Sequence, residues 1–501
     1  MREIFRPPPG VTPLMDARLA ERIRPLHDVR REGPGEFVLY VCATALRAEE
    51  NPALEVAIAE ANARGLSVLV YQELTWRERY ASDRFHRFVL EGVPGLARAL
   101  GARGVRHVFH LDRGTGEQVS PLFDLARRAD LVVTEEFPTG DLARRRERLA
   151  TDAGVSGIAV DAACVLPMRL VGKAWDRAFA FREATAAARF ERLQAPLPRI
   201  DPERPPFDGD LGFEPTVVTA EAVPDLVASC AIDHGVGAVL DTPGGEAAAS
   251  TRWQAFRDRG LRDYAALRND AGDLDGVSRL SPYLHYGMVS PLLVAREARD
   301  TGGEGAAKFL DELLVWRELA WSFCFHRPDH ATAGALPAWA RESLARAQAL
   351  PRDLPPREAI ERGVTGDPLW DLAQRSLLRN GELHNNVRMT WGKKLLEWTR
   401  SPEEGLALAE ELNHRYALDG RDPSSYGGIL WCFGQFDRPF PPERPIYGLV
   451  RPRQTEEHAK RLGLERYSRV VNRPRETPQT GVAAAGRPLG LQPATDRNTS
   501  A

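Results

Sequence analysis

Short, wholly apolar runs punctuate the first third of the chain. Phe37-Val38-Leu39-Tyr40-Val41 and the runs at 66–71, 105–111, 131–134 and 158–161 are rich in β-branched and aromatic side chains. They predict buried strands. Between them the apolar positions fall at helical spacing, over 45–65, 83–100, a stretch ending near 129, and 140–153. Gly65 closes the first of these as a C-cap. Strands alternating with helices imply a parallel α/β sheet, whose ligands sit at the carboxyl ends of the strands. Ahead of the first strand, residues 13–26 carry a short amphipathic pattern that reads as a helical lead-in.

Past residue 161 the alternation stops. The Pro-rich run at 195–207 marks a linker. Helical spacing then dominates, at 253–268, 291–301, 306–326, 336–349, 368–380, 385–398 and 403–416. The chain therefore divides into an N-terminal extension (1–35), an α/β domain (36–165), a linker (166–228), an all-helical domain (229–476) and a tail (477–501). The tail's composition predicts disorder. Trp253, Trp316, Trp321, Trp339, Trp370, Trp391, Trp398 and Trp431 all lie in the helical half, against Trp76 and Trp175 before it.

The net charge of −3 confines any nucleic-acid site to a local patch. Residues 441–480 supply one, with nine Lys/Arg against five Asp/Glu. The five cysteines are far apart and form no CxxC or CxxH pair, so neither a zinc site nor a disulfide framework is indicated. That usage fits a reducing cytosol. No apolar run has the length of a membrane span, and a monomer is the default assembly. GxGxxG and Walker A patterns are both missing.

Residues 381–431 hold an unusual density of chemistry: three indoles, Arg388, several amides, and the charged turn Leu418-Asp419-Gly420-Arg421-Asp422-Pro423. Trp391 and Trp398, seven apart, share a helix face. Isolated tryptophans at such spacing are usually core packing. In company with other motifs they carry more. The run Ser278-Arg279-Leu280-Ser281-Pro282-Tyr283, ELLVWREL (312–319), DPLW (367–370), RMTWGKKLLEW (388–398) and LNHRYALDGRDP (412–423) together resemble the photolyase/cryptochrome family. They are most similar to its class II cyclobutane pyrimidine dimer (CPD) photolyases. The run at 46–54 resembles the motif after that family's first strand.

The resemblance implies a Rossmann-like parallel α/β domain joined by a linker to a C-terminal all-helical FAD-binding domain. It implies light-driven repair of pyrimidine dimers in UV-damaged DNA, with the dimer flipped into a pocket. Tyr264, Ser278, Arg279, Leu280 and Ser281 match the FAD phosphate and ribose contacts, Ser281 also reading as a helix N-cap. Arg388 and Asp419 match a pair beside the flavin ring, Asn413 a residue near flavin N5, and Asp422 a further contact. Trp370, Trp391 and Trp398 match an electron-transfer chain. Glu312, Trp316, Met389 and Trp431 match the lesion side, the carboxyl group bonding the flipped base best when protonated. Arg444, Arg451 and Arg453 would hold DNA phosphates. An antenna pigment in the α/β domain, a deazaflavin or a folate, is left open, as is none. A flavin photoreceptor of cryptochrome type, without repair, is the alternative; a DNA-binding protein of this fold without FAD is a third.

Overall fold

A computed structural model describes residues 15–29, 33–115, 120–347 and 350–474. The predicted tail at 477–501 and residues 1–14 and 30–32 of the N-terminal extension lie outside these residues. Six strands form one sheet: β1 (Ile23–His27), β2 (Phe37–Val41), β3 (Ser67–Thr75), β4 (Arg106–Asp112), β5 (Leu131–Glu135) and β6 (Ser156–Val160), in the order β1-β6-β5-β2-β3-β4. The five predicted strands are the parallel part, in register from Phe37 opposite Ser67 through Leu131 opposite Ser156. Central β2 and β5 are buried at every residue, which is why they read as unbroken apolar runs.

The sixth strand corrects the predicted helical lead-in. Only Ala17–Ala20 is helical; Ile23–His27 pairs antiparallel with β6. A strand containing Pro25 survives there because it is an edge strand. The linker also holds more structure than its prolines suggest. Ala178–Arg192 is a helix whose Phe181 is buried in the helical domain's core.

Past residue 240 the structure is helical, as expected. The predicted continuous helix at 306–326 is three pieces: Gly303–Asp311, a π-helical segment Glu312–Arg317, and Glu318–His326. Pro423–Cys432, Thr455–Leu462 and Leu464–Val471 are helices beyond those predicted.

The sheet and the helices share one core. Val38, Tyr40 and Val70 of the strands belong to the same buried cluster as Trp253, Leu292 and Val294. Buried arginines tie the halves together by bonding backbone carbonyls. Arg84, 1% exposed, reaches Gly237, Leu377 and Leu378. Arg47 reaches Gly287 and Ala162. At that contact Gly287, at φ +61°, lets its backbone come so close to Thr44 that a Cβ would sit 2.2 Å from the Thr44 carbonyl oxygen. The 46–54 motif thus has a structural content: Asn51 caps helix Pro52–Arg64, Pro52 starts it, and Arg47 docks the helical half.

Candidate functional site

Three elements wall a cavity of about 270 Å³ in the helical half: the 273–282 segment, residues 376–388, and the turn 418–425. Tyr264 and, from the last helix, Tyr467 complete it. Of the residues matched to FAD, the lining includes Tyr264, Ser278, Arg279, Leu280, Ser281, Arg388 and Asp419.

The wall is rich in polar atoms that nothing in the protein satisfies. His384 Nε2, Arg388 Nε, Asn380 Oδ1 and Ser424 Oγ are all buried without a hydrogen-bond partner. Native proteins seldom leave such groups orphaned, since each costs about 1–3 kcal/mol. His384 shows which way its proton points. Its Nδ1 accepts from the Asn386 backbone N–H at 3.2 Å, capping helix Asn385–Trp398. Burial pushes its pKa down to about 4, so the ring is neutral and Nε2 is the donor. The cavity thus offers donors at His384 and Arg388, an acceptor at Asn380 and a hydroxyl at Ser424. That set fits a polar, anionic ligand such as FAD.

Arg388 occupies its place because Gly428 has no side chain: a Cβ there would stand 3.2 Å from the Arg388 Cζ. Asn385 Oδ1 accepts from Arg388 Nη2 at 3.1 Å. Arg388 and Asp419 line the same cavity, but no ion pair joins them. Burial pushes the Tyr264 hydroxyl up to about 12, so it is a neutral phenol.

Several matched residues are engaged with other groups of the protein. Arg279, with φ +52°, spends its guanidinium on Glu382 at 2.8 Å and Asp241 at 3.3 Å. Arg473 bonds the same two carboxylates, at 2.9 and 2.8 Å. Burial pushes the Asp241 carboxyl up, but the two arginines outweigh it and hold it below the usual range. This closed ring of four charges stiffens the wall that 279–281 help to form. Ser281 does not cap by its side chain; Leu280 is the cap of the short helix Ser281–His285. Asn413 is not a lining residue. It is 1% exposed and its amide meets His414 Nδ1 at 3.4 Å. Asp422 is not a lining residue either; it accepts from the Ser424 N–H as a helix cap and pairs with His285 at 3.3 Å. Ser424 and Ser425, on the turn just beyond, line the cavity instead.

Of the residues matched to the lesion side, Glu312 and Trp316 lie on the π-helical segment and Trp431 on helix Pro423–Cys432. Trp316 and Trp431 stack face to face, centroids 4.5 Å apart and planes 10° from parallel. Glu312 is ion-paired, with Arg268 and Lys308 both at 2.8 Å. Arg268 links this group to the cavity, since its guanidinium also lies 5.9 Å over Tyr264. Met389 follows Arg388 and packs half-buried against the same core as Trp316.

The tryptophans form a cluster in the order Trp391, Trp370, Trp398. Trp370 stacks on Trp391 at 6.1 Å and meets Trp398 edge-on at 5.0 Å. Trp391 is one turn from cavity-lining Arg388; Trp398 lies on the wall of a surface groove.

Among the basic residues, Arg444 is exposed and Arg451 rests 5.4 Å over Phe440. Arg453 bonds Asn386 and is half-buried. Arg466, by contrast, is ion-paired with Asp270. The sheet side has its own cavity, of about 70 Å³, at the end of β3. Arg421 lines it, 4.7 Å over Phe85 and 3.1 Å from Glu78. Among the described residues, no group of His, Cys, Asp or Glu could hold a metal ion, and no helix is long and apolar enough to cross a membrane.

Comparison with known proteins places these features in a family. Residues 38–202 match the DNA photolyase family model. The chain is 31% identical over 436 residues to a deoxyribodipyrimidine photo-lyase from Methanothermobacter thermautotrophicus, covering 86% of this chain and 94% of that one. It is 29% identical to the Arabidopsis thaliana deoxyribodipyrimidine photo-lyase, over 83% and 84% of the two chains. Among solved structures, a cryptochrome from Synechocystis superposes with a TM-score of 0.66 at 18% identity, over 88% of this chain and 89% of that one.

Proposed function

The chain belongs to the deoxyribodipyrimidine photo-lyase family of enzymes, and on that premise we propose that it repairs cyclobutane pyrimidine dimers in DNA by light-driven electron transfer with FAD. The observation that carries this reading is what helix Asn385–Trp398 joins: Arg388 on the cavity wall, Met389 on the lesion side, and Trp391 and Trp398 in the indole cluster.

When bound, FAD supplies the light-absorbing electron donor. The protein's residues do the rest. Arg388, His384 and Ser424, with the backbone of 278–281, hold the cofactor; the Arg388 cation favours a negative charge beside it. Tyr264 closes one wall as a neutral ring. Glu312, with Arg268 and Lys308 against it, presents a fixed carboxylate acceptor to the N–H edge of a flipped pyrimidine. Trp316, Met389 and Trp431 give that base pair an apolar seat, for which the stacked indoles must part or present their outer face. Arg444, Arg451 and Arg453 bind the DNA phosphates. Trp398, Trp370 and Trp391 supply electrons to oxidised cofactor.

A second reading has one observation in its favour. The face-to-face stack of Trp316 on Trp431 leaves no slot between them, as suits a photoreceptor of cryptochrome type that takes no dimer. One assay separates the readings. The purified protein is chemically reduced and illuminated with an oligonucleotide carrying one thymine dimer, and intact thymines are measured against a dark control. Restoration only in the light supports repair. A flavin spectrum without restoration leaves the photoreceptor reading.

A further inference from the structure

The outer end of the tryptophan cluster differs from its inner end. The inner indoles donate to amide oxygens: Trp391 Nε1 to Gln374 Oε1 and Trp370 Nε1 to the Trp391 carbonyl, each at 3.0 Å. An amide oxygen is too weak a base to take the proton of an oxidised indole, so a hole on Trp391 or Trp370 keeps its proton and moves on. Trp398 is placed otherwise. Its indole N–H has no acceptor among the described residues, and the ring lies on the wall of an open groove of about 760 Å³, where water can receive a proton.

A cation stands over this one ring. Lys394, one turn back on the same helix, holds its ammonium 5.2 Å from the Trp398 ring centroid. Glu397 at 2.7 Å and Asp367 at 3.9 Å fix it there. A cation so near a ring favours its electron-rich neutral form and disfavours its radical cation. Removing the ammonium would also leave the two carboxylates unopposed, which shifts the balance further toward the radical cation. Asp353, Glu456 and Lys460 are the other charged groups lining the groove.

We propose that Lys394 is a positioning residue that makes electron supply through Trp398 one-way, by driving the indole proton off once Trp398 is oxidised. The inference rests on the reading of Trp391, Trp370 and Trp398 as an electron relay. One electron passes inward from Trp391 to photoexcited, oxidised FAD. The hole it leaves moves through Trp370 to Trp398. The Trp398 radical cation then releases its N–H proton to groove water, and a neutral radical remains. One electron has gone in and one proton out, so charge return must wait for reprotonation. The ammonium shortens the life of the radical cation and thereby raises the yield of retained electrons.

Flash transient absorption on the FAD-bound protein, started with oxidised flavin, tests this. It follows the tryptophan radical cation and neutral radical separately. Lys394→Met should lengthen the cation's lifetime roughly threefold to tenfold, from the loss of one nearby charge, and lower the yield of stable photoreduction. Lys394→Arg should restore both. An unchanged cation lifetime in Lys394→Met overturns the proposal; if that variant fails to fold, Lys394→Gln carries the same test. A radical cation absent from the unsubstituted protein would overturn the relay itself, and this inference with it.

Discussion

The Arg388 guanidinium owes its place on the cavity wall to what its neighbours lack. Gly428 makes the room and Asn385 holds one nitrogen, yet Nε stays buried and unpartnered. A cofactor bond there is worth about 1.5–3 kcal/mol, as for hydrogen bonds to charged groups. Arg388→Met should therefore weaken FAD binding roughly tenfold to a hundredfold, measured by titrating apoprotein and following flavin fluorescence. Unchanged affinity would mean that Arg388 does not touch the cofactor. At this scale the sequence is an uneven guide. Tyr264, Arg388 and Asp419 line the cavity. Asn413 does not line it; its amide meets His414 on the same helix. Ser424 and Ser425, following Asp422-Pro423, read as ordinary helix-start residues; only the fold of the turn brings them to the cavity. Arg279 was legible as a wall residue, but its carboxylate partners Asp241 and Glu382 are 38 and 103 residues away along the chain.

Among the elements, the π-helical segment Glu312–Arg317 matters most. Its apolar spacing passes for a plain helix in the sequence, because one wider turn barely disturbs the i, i+3, i+4 pattern. Such turns gather at functional sites, where they re-aim side chains, and this one carries both Glu312 and Trp316. It ends at Glu318, which is 0% exposed and whose Oε1 accepts from the Val165 N–H at 2.6 Å, tying the end of the α/β half to the helices. Burial raises the Glu318 pKa from 4.5 to about 7. The folded chain then holds a proton that the unfolded chain releases, so stability falls as pH rises from about 4.5 through about 7 and levels off above. Glu318→Gln should flatten that slope and raise stability at about pH 8 by roughly 1–3 kcal/mol, measured by urea unfolding across pH. Parallel slopes for the two proteins would show that Glu318 does not titrate as a buried acid.

On the scale of the whole molecule, the sheet and the helices share a core and are pinned by Arg47 and Arg84. The division into α/β and helical halves was legible because the hydrophobic period changes from strands with helices to helices alone. Edge strand β1 was not, since its alternation is short and broken by Pro25. A shared core predicts one cooperative thermal transition. FAD at about a hundred times its dissociation constant should stabilise the fold by about 2.7 kcal/mol and move the whole transition upward. Two transitions, with only one displaced by FAD, would contradict this coupling. On the reading proposed above, helix Asn385–Trp398 joins the cavity to a lesion on the Trp316–Trp431 side and to electron supply through Trp391. Trp391→Phe, assayed twice, tests it most directly. Photoreduction of oxidised flavin should be strongly slowed, while light-driven repair of a thymine dimer by the chemically reduced variant should match the unsubstituted protein. Photoreduction at the original rate, or repair lost together with it, would contradict the account.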